Sequence, residues 1–122
     1  LAEARKPLEP AIAVQKAYDL SLWLTQKVEH FPRSYRFSIG DRIVRDGIDL
    51  LMTLVQCAYT TDKARLLESA SMRTNTLRYL LRMAKDLKLM TVEAYGFSTG
   101  HVEEIGRMVG GWQKSVAARR PV

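Results

Sequence analysis

"LLESASMRTNTLRYLLRMAKDL", residues 66–87, decides the fold class. Within it Leu66, Ala70, Arg73, Leu77, Leu80, Ala84 and Leu87 recur at alternating steps of 4 and 3. Side chains at those spacings share one face of an α-helix, so the stretch reads as a long amphipathic helix. Arg73 is the exception in its heptad. A lone charge in a core is costly, so Arg73 should meet a carboxylate, Glu68 or Asp49, or open onto water or a subunit boundary. A second stripe of Met72, Tyr79, Met83 and Met90 runs beside the first.

The same periodicity extends in both directions. Upstream, Val14, Ala17, Ser21, Leu24, Val28 and Phe31 form one helical face that Pro32 should end, since the residue before a proline is pushed out of the α region. Pro10 suits the first turn of that helix. Ile43, Leu50, Leu51, Leu54 and Ala58 form the stripe of the next helix, widened by Val44, Ile48 and Val55. Ser38 is its expected cap, with Asp41 three residues on. Asp41/Arg45, Arg42/Asp46 and Arg45/Asp49 are spaced for ion pairs on its surface. "TTDK", residues 60–63, is a break, with Thr61 or Asp62 as the cap of the helix that follows.

"TVEAYGFSTG", residues 91–100, has two glycines and several turn formers and reads as a loop. The last helix then starts near Ser98 or Thr99, with Val102, Ile105, Val109, Trp112 and Val116 inward. Gly106 and Gly110 leave a smooth strip where another helix can come close. Each glycine costs roughly 0.8–1 kcal/mol in a helix, so the strip argues for close packing. No strand or hairpin signal intervenes. The expected fold is all-α: one domain over residues 1–122, an antiparallel up-and-down four-helix bundle with helices near 10–31, 38–60, 62–89 and 99–118. The heptad spacing favours shallow crossings.

Composition limits the chemistry. The 122 residues include 19 Lys and Arg against 13 Asp and Glu, a formal net charge of +6, which favours polyanionic or acidic partners. Cys57 is the single cysteine and forms no internal disulfide. No apolar run approaches the roughly 20 residues that span a bilayer, and no signal peptide is evident, so the expected location is the cytoplasm, away from membranes. Phosphate-loop, HExxH and CxxC patterns are absent, and His30 and His101 lie far apart. No catalytic residue, metal ligand or cofactor is expected, and the chain is not read as an enzyme.

The basic residues do cluster. Ser71, Asn75, Arg78, Arg82 and Lys85 make a polar strip to one side of the leucine heptad, with Lys88 just beyond. Such a strip can contact successive phosphates, or it can be a solvated bundle face. The corner "FPRSYRFSIGDRI", residues 31–43, sets Arg33 and Arg36 among aromatics at one end of the bundle, where they could add to a basic surface.

These stretches carry a resemblance. "FPRSYRFSIGDRI", "LRYLLRMAKDLKLM" and "EEIGRMVGGWQKS" occur in the order and spacing of a family of small four-helix bundles. That family includes the accessory variability determinant (Avd) proteins of diversity-generating retroelements and proteins encoded in intervening sequences of bacterial 23S ribosomal RNA genes. The likeness runs from about Tyr18 to Ser115. It implies a non-catalytic homopentamer with a positive surface that binds RNA or DNA and a reverse transcriptase and supports mutagenic copying. Carried over by position, Arg78, Arg82 and Arg107 resemble the basic residues that meet polymerase or nucleic acid, with Lys85, Arg73, Arg33 and Arg36 adding to that surface. On this reading the strip matters more to the polymerase than the corner does. A structural homo-oligomeric scaffold without a polymerase partner is the alternative.

Overall fold

A computed structural model of the chain describes residues 8–119. Its elements are α1 (Leu8–Val28), α2 (Asp41–Ala58), α3 (Lys63–Asp86) and α4 (Val92–Arg119). A short α-turn, Arg33–Tyr35, and a π-helical turn, Arg36–Gly40, lead directly into α2. Among the described residues the architecture is a helical bundle without strands.

Each helix packs on its sequence neighbour, and α4 returns to pack on α1. Val28 lies against Gly40, and the buried Ser21 hydroxyl donates to the Gly47 carbonyl at 2.8 Å. Lys63 Nζ donates to the Cys57 carbonyl at 2.8 Å, and Arg73 reaches Asp49. Lys85 stands over the Tyr95 ring, and Arg78 reaches Glu103. Trp23 meets Phe97, and Lys16 reaches Glu104.

The core confirms most of the expected inward faces. Ala17, Ser21, Leu24, Val28 and Phe31 are buried on the first helix and its exit, and Val102, Ile105, Val109 and Trp112 on the last. On α3 the buried line is Leu67, Ala70, Thr74, Leu77, Leu81 and Ala84, with Leu66 at its edge. Its steps alternate between 3 and 4, so the heptad period holds, but one of its columns is Leu67, Thr74 and Leu81 where Leu66, Arg73 and Leu80 were expected. Thr74 takes the core place that the expected heptad assigned to Arg73. Its hydroxyl is satisfied by the Ser71 carbonyl at 2.6 Å. Leu87, past the last residue of α3, is exposed. On α2, Ala58 and Ile48 point outward, and Gly47, Thr53 and Cys57 take their places inside.

The expected loop at residues 91–100 is helix. Thr91 caps it, its hydroxyl accepting the Ala94 N–H at 3.0 Å. Ser98 and Thr99 donate back to the Tyr95 carbonyl at 3.0 and 2.8 Å, so the turn-forming hydroxyls are spent within the helix. Tertiary burial of Ser98 and the Phe97–Trp23 contact outweigh the cost of Gly96 and Gly100. The real turn falls earlier, at Lys88, whose φ of 63° is left-handed. Leu89 N–H bonds to the Ala84 carbonyl and Lys88 N–H to Lys85, the hydrogen-bond pair of a Schellman stop.

Two expected caps also differ. The Ser38 hydroxyl faces the Ser34 and Tyr35 carbonyls, because the chain is already helical from Arg33. Asp62 does precede α3, but its carboxylate pairs with Arg65 Nε at 2.8 Å and caps no N–H.

Candidate nucleic-acid interface

The α3 strip is largely neutralised by acids near it. Arg78 Nε pairs with Glu103 Oε2 of α4 at 2.7 Å, and Arg78 Nη1 bonds to Asn75 Oδ1. The guanidinium lies across Gly106, where a Cβ would come within 2.9 Å of Nη2. Gly106 thus admits a side chain and not a second helix backbone. A Cβ added at Gly110 or Gly111 would meet nothing within 4 Å among the described residues, so the close packing expected of the glycine strip is found there at Gly106 alone. Arg82 Nε lies 4.0 Å and Lys85 Nζ 3.5 Å from the Asp86 carboxylate. Lys85 also covers the Tyr95 ring at 4.9 Å, a cation–π contact between α3 and α4.

Arg73 sits on the α2 side of α3, half-buried, with Nη1 3.5 Å from Asp49 Oδ2. Of its two expected partners, Asp49 is the one in place. Its Nε is buried without a hydrogen bond. Asp46 is buried too, held by Arg42 at 3.3 Å, with Oδ2 otherwise unpartnered. The Asp41/Arg45 pair forms at 3.2 Å, while the expected Arg45/Asp49 pair does not, since Asp49 faces Arg73. Arg107 is exposed and pairs with no carboxylate among the described residues. It borders a groove between α1 and α4 lined by Ile12, Glu104, Met108 and Gly111.

The corner is built differently. Phe31 is buried and closes α1, and Pro32 starts the short turn. Gly40 is required by space: its φ is an ordinary −61°, but a Cβ there would stand 2.7 Å from Val28 Cγ1 and 3.1 Å from the Tyr35 carbonyl oxygen. This close approach seats the π-helical turn against α1. Arg33 and Arg36 are exposed and pair with no carboxylate among the described residues. Arg36 Nη2 donates to the Phe31 carbonyl at 3.4 Å. Phe37, one of the aromatics of this basic corner, is 72% exposed. Sequence reasoning set it beside the arginines but did not count it among the site residues, although it lies off every inward stripe.

Other groups have structural employment. Burial pushes the Cys57 thiol up, while the charge of Lys63 pulls it back, so it stays neutral at ordinary pH. His30 Nδ1 lies 3.1 Å from the Gln26 carbonyl. His101, expected in a first turn, lies well inside α4 and meets Phe97 edge-on at 4.5 Å. No cluster of potential metal ligands occurs among the described residues.

Two outward faces are apolar. Tyr18 and Leu22 of α1 stand across from Ile48 and Met52 of α2, a register fixed by Ser21 on Gly47. On α3, Met72, Tyr79 and Met83 form a second exposed stripe. Met90, placed with that stripe by its spacing, is buried because the helix has already ended.

A family model described as bAvd-like matches residues 11–116. Among solved structures, the chain is similar to a protein of unknown function from the S23 ribosomal protein family of Bacteroides thetaiotaomicron. The two share 15% identity, with a TM-score of 0.81 over 87% of this chain and 98% of that one, a likeness of fold. No curated protein matches.

Proposed function

The chain belongs to the bAvd-like family, and from that premise we propose that it is a non-catalytic accessory protein for a reverse transcriptase. It binds nucleic acid together with the polymerase and supports mutagenic reverse transcription in a diversity-generating retroelement. The observation that carries the nucleic-acid part is the basic excess that survives ion pairing. Lys27, Arg33, Arg36, Lys63, Lys88, Arg107, Lys114 and Arg119 have no carboxylate partner among the described residues, against Asp19, Glu29, Glu68 and Glu93 on the acidic side. Phosphates are the natural counterions of such a surface. Each one neutralised releases bound cations, so affinity for duplex DNA should fall with a log–log salt slope of roughly −0.9 per contact. Binding measured across a salt series tests this, and no retention of RNA or DNA at low salt would overturn it.

The contacts between successive helices support the antiparallel up-and-down order for the bundle. The two apolar faces support self-assembly. They are different patches, so the fit of one to the other in a neighbouring copy is heterologous, and such contacts make a ring when the rotation between copies closes. A homopentamer is the proposed ring, in the cytoplasm. No helix among the described residues is long and apolar enough to cross a membrane. Light scattering that finds a stable monomer at micromolar concentration would overturn the assembly.

One observation favours a second reading, a homo-oligomeric scaffold with no polymerase partner: Arg78, Arg82 and Lys85 already have acids beside them. Co-purification with a co-expressed reverse transcriptase of a diversity-generating retroelement separates the two. Capture supports the accessory role, and failure of the intact oligomer to capture it supports the scaffold.

A further inference from the structure

The corner after Pro32 carries chemistry that the fold does not use. Phe37 is 72% exposed, so its ring adds little to the core. Arg33 lies four residues before it, one helical turn back on the same side, and Arg36 precedes it directly, with its guanidinium turned to the Phe31 carbonyl. Ser34 and Ser38 complete the surround, so the ring is not part of a larger apolar patch. The acids that face it are few. Asp41, one turn on, is held by Arg45 at 3.2 Å, and Glu29 follows the last residue of α1. The backbone beneath is fixed by Gly40 against Val28, and Arg36 is oriented by the Phe31 carbonyl.

We propose that Phe37 is a stacking platform for an unpaired base of single-stranded RNA or DNA, with Arg33 and Arg36 holding the phosphates on either side. The inference rests on the nucleic-acid reading above and adds to it the strand state and the place of contact. A duplex hides its base faces in its own stack and offers a protein mainly phosphates and groove edges. An unpaired base offers a face, and an exposed aromatic ring between two cations matches face and backbone together. The row of aromatics along the α1–α4 seam does not compete for this role. Trp23, Phe97 and His101 pack on one another there, and Lys16 is already paired with Glu104.

Fluorescence anisotropy with a short unstructured oligonucleotide, and with a hairpin duplex of the same charge, tests the platform on the full chain. Phe37→Ala should weaken single-strand binding about tenfold and leave duplex binding within about twofold. Phe37→Trp should restore it. Arg33→Ala with Arg36→Ala should weaken both ligands and flatten both salt slopes. Circular dichroism and light scattering confirm that each variant keeps its fold and assembly. If the wild type binds both ligands and Phe37→Ala weakens neither, or weakens both equally, the platform is wrong and the nucleic-acid reading stands. If the wild type binds neither at low salt, the nucleic-acid reading fails first and the platform with it.

Discussion

In the α3 strip each of the three cations has a carboxylate beside it, while at the corner after Pro32 neither arginine has one. Arg78 reaches across to Glu103, and Arg82 and Lys85 share Asp86. Arg33 and Arg36 face solvent beside an exposed Phe37. Both regions are basic segments on helical turns, and the strip is the richer in charge. What separates them is the acids within reach. Helix α4 lays Glu103 opposite Arg78 and α3 supplies Asp86, whereas among the described residues no carboxylate pairs with Arg33 or Arg36. A cation clamped between two helices acts first as a structural tie, and one left without a counterion is the better partner for a phosphate.

The largest effect should come from breaking the corner itself. Gly40→Ala places a methyl within 2.7 Å of Val28 and 3.1 Å of a backbone oxygen, which cannot yield as a side chain can. A loss of about 2–3 kcal/mol in urea denaturation is expected, despite the helix propensity gained. A stability equal to wild type would show that the π-helical turn is not held as described. Next comes the charge. Arg33→Ala with Arg36→Ala should lower nucleic-acid affinity by about tenfold at moderate salt. Arg82→Ala with Lys85→Ala removes the same charge and should cost less. If the strip pair costs more, the contrast between free and paired cations does not govern binding.

A double-mutant cycle sharpens the strip's side of the comparison. Arg78→Ala should destabilise the fold by about 1 kcal/mol, through lost packing over Gly106 as well as the ion pair. Sequence spacing alone treated that arginine as an exposed residue whose loss the fold would not register. Gly106→Ala should be nearly neutral in the wild type, because the displaced guanidinium offsets the helix propensity gained. In the Arg78→Ala background it should stabilise by about 0.8–1 kcal/mol. Additive changes would mean that the two residues do not touch in solution. The smallest effect is a gain: Lys88→Gly, at the left-handed turn that ends the strip's helix, should add about 0.5–1 kcal/mol. A loss in thermal denaturation would place that turn elsewhere.

Much of the bundle was legible in the sequence because burial imprints a helical period. The first helix ends at Val28, about a turn before the expected stop at Pro32, and the inward residues of the first and last helices came through with few exceptions. Arg73 looked out of place only because the expected core column ran through Leu66, Arg73 and Leu80. The column that is buried runs one residue on, through Leu67, Thr74 and Leu81, and seven-residue spacing alone does not tell the two apart. The segment from Thr91 to Gly100 was misread because glycine and hydroxyl residues are turn formers in isolation. Thr91 in fact caps the helix, and burial of Ser98 with the Trp23 contact holds the rest. The candidate interface was legible as composition: the basic residues and their clustering are in the chain, but their state of charge compensation is not.

The sequence by itself determined an all-helical chain with a basic excess, the places of two of its three breaks and most of its inward residues. These follow from local properties, namely side-chain periodicity, the stereochemistry of proline and the number of charges. The tertiary structure decided which cations are free. An ion pair between helices depends on the register at which they meet, and that register is set by the fit of the core: Ser21 on Gly47, Val28 against Gly40, Arg78 across Gly106. Each contact joins residues far apart in the chain, so no local pattern could assign Glu103 to Arg78 or leave Arg33 and Arg36 without a partner.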